Sequence, residues 1–191
     1  MKVLLVDAFD SFVFVIAQYY EKLGGEARVV RVNENPLELY REWKPDLLVL
    51  GPGPGTPTEH GYLKILEEIS ENQAVFGVCL GLQAIGEYFG WKLVNAPAVK
   101  HGKKSIIDHD GKGIFLGIKS KVSVVRYHSL AITNLGSSRD LIITAKSEED
   151  NVVMGIRHKN RPIEAVQFHP ESVGTEYGLD MIKNSLQLIQ E

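Results

Sequence analysis

The sequence predicts an α/β fold, with an open and mostly parallel central sheet, helices on both of its faces and a small β-rich insert. Two observations predict it. In the first half of the chain, short apolar runs rich in β-branched residues alternate with longer segments of helical spacing, an order typical of βαβ units. The runs are apolar throughout, as expected of parallel strands that helices cover on both sides. We expect residues 1–191 to fold as a single domain.

The predicted helices of this half are marked by apolar residues three and four positions apart. The first helix has Asp10 or Ser11 as its candidate N-cap and ends at Gly24-Gly25. The strands predicted here are residues 3–6, 29–30, 47–50 and 75–78, and the helices are residues 12–23, 62–69 and about 80–90.

The second half of the chain has a different pattern of apolar and turn residues. From residue 92 to residue 158, short β-branched runs separated by turn residues predict antiparallel strands, which would form the insert. The chain then returns to a strand at residues 164–168. A terminal helix is predicted through Met181, Ile182, Leu186 and Ile189.

Composition excludes several classes of function. The chain has 21 Lys and Arg against 24 Asp and Glu, a net charge of −3, so we expect no surface for nucleic acid or for a membrane. No apolar stretch is long enough to span a membrane and no signal-peptide pattern is present, so we expect a cytoplasmic protein. The single cysteine cannot form an internal disulfide, which leaves buried filler, a redox target or a nucleophile as its role.

That cysteine lies in a pattern typical of a nucleophile. Gly77-Val78-Cys79-Leu80-Gly81 joins a predicted strand to a predicted helix, which is the G-x-nucleophile-x-G elbow with cysteine in place of serine. The glycines are needed because the sharp turn brings neighbouring backbone too close for a Cβ. The helix N-terminus also favours the thiolate. A small buried strand cysteine is the alternative, but it gives no reason for the flanking glycines.

A cysteine nucleophile needs a base, and the base needs a group that orients it. The strand at residues 164–168 delivers His169 to the carboxyl edge of the sheet, where Cys79 also emerges. Glu171 follows two residues later and projects to the same side of an extended segment. A surface turn is the alternative for His169-Pro170-Glu171 alone, whereas its pairing with the elbow predicts a Cys-His-Glu triad.

A stiff loop follows the third strand, at residues 51–57 (GPGPGTP). Its prolines remove amides that a phosphate-binding loop would use, and the G-x-G-x-x-G spacing is absent, so neither a dinucleotide loop nor a P-loop is predicted. The rigid amide of Gly53 and that of Leu80 could instead form a two-donor oxyanion hole. A merely rigid loop is the alternative.

Six motifs together resemble the class I, or triad, glutamine amidotransferases, and among them the glutaminase subunits of anthranilate synthase and aminodeoxychorismate synthase. The likeness spans essentially the whole chain. The motifs are residues 7–12 (DAFDSF), 51–57 (GPGPGTP), 77–83 (GVCLGLQ), 101–103 (HGK), 126–130 (RYHSL) and 168–172 (FHPES).

The resemblance implies hydrolysis of L-glutamine to glutamate and ammonia through a γ-glutamyl thioester on Cys79. It implies that His169 moves protons, that Glu171 orients His169, and that the amides of Gly53 and Leu80 form the oxyanion hole. The positions that hold glutamine in the family match Gly53, Pro54, Gly55, Gln83, Ser129 and Leu130.

One of the implied substrate residues has independent support. Gln83 lies four residues after Cys79, so one helical turn places it on the face that looks back at the nucleophile. A solvated polar side chain remains the alternative for Gln83, and a plain turn remains the alternative for Ser129-Leu130.

The resemblance also implies a partner. His101, Gly102 and Lys103 match a loop that faces the synthase subunit in the family, although a solvated turn is the alternative. That subunit, component I of either synthase, would bind chorismate and aminate it with the ammonia released here. Tryptophan biosynthesis is the main prediction and the folate branch the alternative, because the partner's chemistry sets the product.

No cofactor is expected in this chain, because its six histidines show no metal-ligand spacing and no nucleotide motif is present. Two positions depart from the family pattern: Ala8 stands where Asn is usual, and Leu82 where His is common. Two other classes of function stay open, and these departures bear on the first of them. One is a binding or regulatory subunit that has lost catalysis, and the other is a stand-alone cysteine hydrolase.

Overall fold

The computed structural model describes residues 1–134 and 140–189, and within them the chain forms one nine-stranded sheet with helices against it. The strands are β1 (Lys2–Asp7), β2 (Glu26–Arg31), β3 (Leu47–Leu50), β4 (Ala74–Val78), β5 (Lys92–His109), β6 (Lys121–Thr133), β7 (Leu141–Ser147), β8 (Val153–His158) and β9 (Ile163–Val166). The α-helices are α1 (Phe12–Lys22), α2 (Pro36–Trp43), α3 (Tyr62–Glu68), α4 (Leu80–Tyr88) and α5 (Gly178–Ser185).

The sheet has a parallel half and an antiparallel half. Its strand order is β2-β1-β3-β4-β9-β8-β7-β5-β6, and the first five strands in that order run parallel. The other four pair antiparallel, as predicted for residues 92–158. This confirms the α/β fold and shows that the β-rich segment extends the same sheet from β9 outwards.

Helices cover both faces of the parallel half, as predicted. Alternate residues of β1 divide between two apolar clusters: Val3 and Leu5 pack with α1 and α5, whereas Leu4 and Val6 pack with α3 and α4. All four side chains are fully buried, and each contributes about 1.5–3 kcal/mol of burial free energy. The strands are apolar throughout because neither face meets water.

The helix prediction was incomplete in two places. It did not include α2, in which Trp43 is the single buried side chain, so its sequence has no wide apolar stripe to signal a helix. It also carried the terminal helix to Ile189, whereas α5 ends at Ser185 and a short 3₁₀ turn, Leu186–Leu188, follows. Within the described residues, every helix is too short or too polar to cross a membrane.

Candidate active site

Cys79 occupies the turn between β4 and α4 in a strained backbone conformation. Its φ is 54° and its ψ is −99°, a backbone conformation that residues other than glycine rarely adopt. Its amide donates a hydrogen bond of 2.8 Å to the carbonyl of Val166 at the end of β9. The predicted sharp turn from strand to helix at Cys79 is therefore confirmed, and the neighbouring strand holds it in place.

The two glycines of the elbow are required by close backbone contacts. A Cβ on Gly81 would lie 2.1 Å from the carbonyl oxygen of Leu50, at the end of β3. A Cβ on Gly77 would lie 2.8 Å from the backbone of Gly81. Because backbone atoms at these distances cannot be moved aside cheaply, a larger residue at either position would displace α4 and with it Cys79.

His169 reaches the same edge of the sheet as Cys79. Strands β4 and β9 are parallel neighbours, with Val78 opposite Val166, so the residues that follow them emerge side by side. The β9 ladder ends at Val166, two residues earlier than the predicted strand. The amide of His169 then donates to the carbonyl of Val125 on β6, at 3.0 Å, which fixes the segment beyond the strand.

A buried carboxylate orients the imidazole of His169. Its Nδ1 donates to Glu171 Oε1 at 2.6 Å, and both side chains are almost completely buried. Burial alone would lower the pKa of His169, but the charged forms of Cys79 and Glu171 raise that pKa well above its usual value. The other ring nitrogen, Nε2, is buried and makes no close hydrogen bond within the described residues, so it can exchange a proton with the thiol.

A cavity of about 110 Å³ opens beside Cys79. Tyr127 and His128 form part of its wall. Leu80 is outside the lining, but its side chain lies 3.1 Å from where a Cβ on Gly53 would stand. The cavity therefore unites segments that are distant in the sequence, and the predicted glutamine-binding residues all line it: Gly53, Pro54, Gly55, Gln83, Ser129 and Leu130.

Gln167 is a residue of this site that the sequence analysis missed. Gln83 Nε2 donates to the carbonyl of Leu130 and to Gln167 Oε1, each at 3.2 Å. The amide nitrogen of Gln167 in turn lies 3.6 Å from Cys79 Sγ, as a donor to sulfur. Gln167 is fully buried. Its signal in the sequence is a polar amide between Val166 and Phe168, because a buried amide needs partners.

The two residues that depart from the family pattern pack in the apolar core. Ala8 and Leu82 are fully buried and belong to the cluster on the α3 and α4 side of the sheet. Ala8 packs directly against the glycine–proline loop, since a Cβ on Gly53 would lie 2.4 Å from its Cβ. Both positions therefore belong to the apolar core that supports the site.

The predicted partner-facing residues, His101, Gly102 and Lys103, are exposed on β5 where its pairing with β6 shifts register. Gly102 has a φ of 65°, a conformation that suits glycine. The ring of His101 lies 5.4 Å from that of Tyr127, which in turn lies 5.1 Å from the ring of His169. One aromatic side chain therefore separates this exposed segment from the candidate base.

A second concave surface in the described part of the chain contains none of the predicted site residues. A larger depression of about 660 Å³ lies between α2 and α3, and residues such as Asn35, Arg41 and Lys64 line it. Among the described residues, no group of three or more His, Cys, Asp or Glu side chains is arranged to hold a metal ion.

His128 is a buried, neutral part of the cavity wall. Two effects lower the pKa of His128 to about 4: burial, which is the larger, and the positive charge of Arg126. Its Nε2 accepts a hydrogen bond of 3.0 Å from Arg126 Nε, so the ring proton is on Nδ1, which donates to the carbonyl of Leu130 at 2.7 Å.

This low pKa predicts that acid destabilises the fold through His128. Between pH 7 and pH 5 the unfolded chain takes up a proton at His128 that the folded chain rejects, so the free energy of unfolding falls as the pH falls. With an unfolded pKa near 6.5, the loss due to this residue is about 2 kcal/mol. Urea unfolding at both pH values measures it. His128→Asn, which cannot titrate, should show a loss smaller by that amount, and an equal loss in both proteins would contradict the prediction.

Comparison with known proteins agrees with this geometry. The family model of the class I glutamine amidotransferases matches residues 4–188. Anthranilate synthase component 2 of Thermus thermophilus is 43% identical, over 98% of this chain and 92% of that protein. The aminodeoxychorismate/anthranilate synthase component 2 of Bacillus subtilis is 40% identical, over 97% of this chain and 95% of that protein. A solved structure, that of a putative GMP synthase subunit from Thermoplasma acidophilum, has a TM-score of 0.86 at 28% identity and covers 99% of this chain and 94% of that chain.

Proposed function

Because the chain belongs to the class I glutamine amidotransferase family, we propose that it is the glutaminase subunit of a chorismate-using synthase, and specifically component 2 of anthranilate synthase in tryptophan biosynthesis. The observation that carries the proposal is the placement of a strained Cys79 and a buried His169–Glu171 pair at the ends of adjacent strands, beside a cavity. We place the protein in the cytoplasm, where its nucleophilic thiol stays reduced.

The chemistry begins with proton transfer from the Cys79 thiol to His169 Nε2. The sulfur attacks the side-chain amide carbon of glutamine, and the amide oxygen becomes an oxyanion that the N–H groups of Gly53 and Leu80 stabilise. His169 then returns the proton to the departing nitrogen, and ammonia leaves a γ-glutamyl thioester on the sulfur. Water, deprotonated by the same imidazole, hydrolyses the thioester to glutamate. Glu171 stabilises the imidazolium that forms in each half of the reaction.

The cavity wall offers groups suited to the charged end of L-glutamine. Both hydrogens of the Gln83 amide are engaged by Leu130 and Gln167, so the group that it offers to a substrate is its acceptor oxygen, which suits an ammonium. Ser129 contributes a hydroxyl, which suits a carboxylate as a donor. In the proposed complex, Gln83 and Ser129 bind the end of glutamine opposite the reacting amide carbon. They therefore select glutamine over shorter amides.

The partner surface is proposed at the exposed segment of His101, Gly102 and Lys103. Ammonia that escapes to water is lost, so a glutaminase gains from being slow until its partner is in place. The ring of Tyr127 lies between this segment and His169, at distances that allow a partner bound there to shift the imidazole. Chorismate and its amination belong to the partner.

The test is ammonia release from glutamine by the protein alone and with the chorismate-using subunit from the same organism. We expect slow release alone, faster release in the complex, and fluorescent anthranilate as the product. A second test is covalent labelling of Cys79 by 6-diazo-5-oxo-norleucine, detected by mass spectrometry. We expect labelling, because that reagent requires both a reactive thiol and a cavity that fits glutamine. Tight binding to the partner with neither release nor labelling would overturn the proposal.

Folate synthesis is the second candidate, because a relative from Klebsiella aerogenes that is 42% identical is named aminodeoxychorismate synthase component 2. The same assay separates the two. Stimulation by a partner that forms aminodeoxychorismate, with no stimulation by one that forms anthranilate, would assign the folate branch. Stimulation by both would assign one glutaminase that serves the two pathways.

A further inference from the structure

The wall of the candidate glutamine cavity is tied to a buried cation that the proposed chemistry does not use. Arg126 on β6 is fully buried, and its guanidinium contacts Asp150 in the β7–β8 turn, with 2.9 Å between Nη2 and Oδ2. Nη1 also donates to the hydroxyls of Ser105 and Ser147, at 3.2 and 3.3 Å. Nη1 also donates to Asp150 Oδ1, at 3.2 Å. These contacts hold the guanidinium in one orientation, so the N–H of Nε points in a fixed direction.

That fixed donor determines the tautomer of His128. Arg126 Nε–H donates to His128 Nε2, and an arginine is always protonated, so Nε2 can only be the acceptor. The ring hydrogen is therefore on Nδ1, which donates to the carbonyl of Leu130 at 2.7 Å. The ion pair of Arg126 and Asp150 therefore fixes the His128 ring, and that ring fixes the carbonyl of Leu130 through its hydrogen bond.

The carbonyl of Leu130 needs this support because regular strand pairing fails at this point. β6 is an edge strand, and its register with β5 jumps from His128 opposite Lys100 to Leu130 opposite Asn95, which leaves Ser129 without a partner in the β5–β6 ladder. The same carbonyl accepts the hydrogen bond from Gln83 Nε2, at 3.2 Å. The position of Leu130 therefore sets the rotation of the Gln83 amide at the cavity.

We propose that His128, locked by Arg126, is a positioning residue for glutamine: it fixes the Leu130 carbonyl and thereby the Gln83 amide that faces the substrate. The inference rests on the proposed glutaminase function. His128 acts on substrate binding through two intermediate groups, so its removal should weaken binding and leave the chemical step at Cys79 largely unchanged.

Two substitutions separate the two hydrogen bonds of the ring. The amide nitrogen of His128→Asn replaces Nδ1 and can still donate to Leu130, but the shorter side chain does not reach Arg126. The amide of His128→Gln replaces Nε2, which keeps the acceptor for Arg126 and loses the donor to Leu130. We expect the glutamine KM of the complex to rise roughly fivefold to tenfold in His128→Gln, the effect of losing one hydrogen bond, and to rise by a smaller factor in His128→Asn, which keeps the donor to Leu130 but loses the contact with Arg126.

Two further readouts show whether the role is positioning. The kcat of both variants, and the rate at which iodoacetamide alkylates Cys79, should stay within about twofold of the parent values. Equal KM increases in both variants, or no increase in either, would overturn the proposal. In the parent protein, ¹⁵N NMR of labelled histidine, with the His128 ring signals assigned by their absence from the His128→Asn spectrum, should show a neutral His128 ring protonated on Nδ1, and a His128 ring protonated on Nε2 would overturn the proposal as well. A parent complex without glutaminase activity would instead reject the proposed function.

Discussion

Replacement of Cys79 by alanine is expected to abolish glutamine-dependent synthesis by the complex while ammonia-dependent synthesis by the partner continues. In the proposed mechanism the sulfur forms the bond to the substrate, and the amides of Gln83 and Gln167 beside it are not nucleophiles, so they cannot replace it. The loss should be at least about 10³-fold in kcat/KM. It is measured as anthranilate formed with glutamine and, in parallel, with an ammonium salt.

The controls for this variant are folding and assembly. Cys79 is small and 5% exposed, so alanine at this position removes little packing, and the melting temperature and the affinity for the partner should be close to those of the parent. Loss of both the glutamine-dependent and the ammonia-dependent reactions would mean that Cys79 supports the complex structurally. Full glutamine-dependent activity would reject the thioester mechanism.

The parts of the fold that the sequence predicts well are those set by short-range chemistry. The turn at Cys79 can be predicted from neighbouring residues alone, because two glycines flank the cysteine between a predicted strand and a predicted helix. The structure confirms that backbone atoms fill the space beside Gly77 and Gly81. The strands around it are equally clear, because burial on both faces leaves β3 and β4 without polar residues.

The parts that the sequence does not predict depend on contacts across the sheet. The link from Gln83 to Gln167 joins residues 84 positions apart, and it exists because β4 and β9 are neighbours, an order that periodicity does not reveal. The wall at Ser129 and Leu130, which the sequence indicates only through the family resemblance, depends in the same way on where the pairing of β6 with β5 breaks. Side-chain composition gives a set of candidates, and strand order decides which of them meet.

Replacement of Glu171 by glutamine tests whether the carboxylate next to His169 is chemical or structural. Glutamine has nearly the same shape, so packing around the buried pair is kept, but it removes the negative charge that helps to raise the pKa of His169. We expect kcat with glutamine to fall by about 10²- to 10⁴-fold, as for the loss of the orienting acid in other nucleophilic triads. The glutamine KM should change little, because Glu171 does not line the cavity.

The pH profile of the Glu171→Gln variant gives a second, independent readout. With the pKa of His169 lowered, the imidazolium that in the proposed mechanism protonates the departing amide nitrogen is lost at a lower pH, so the alkaline limb of kcat should shift to lower pH. Glu176→Gln is the matched control, because Glu176 is an exposed carboxylate five residues further on that pairs with Lys119, and its activity should stay within about twofold of the parent. An unshifted alkaline limb together with normal kcat would show that His169 is oriented without the charge of Glu171.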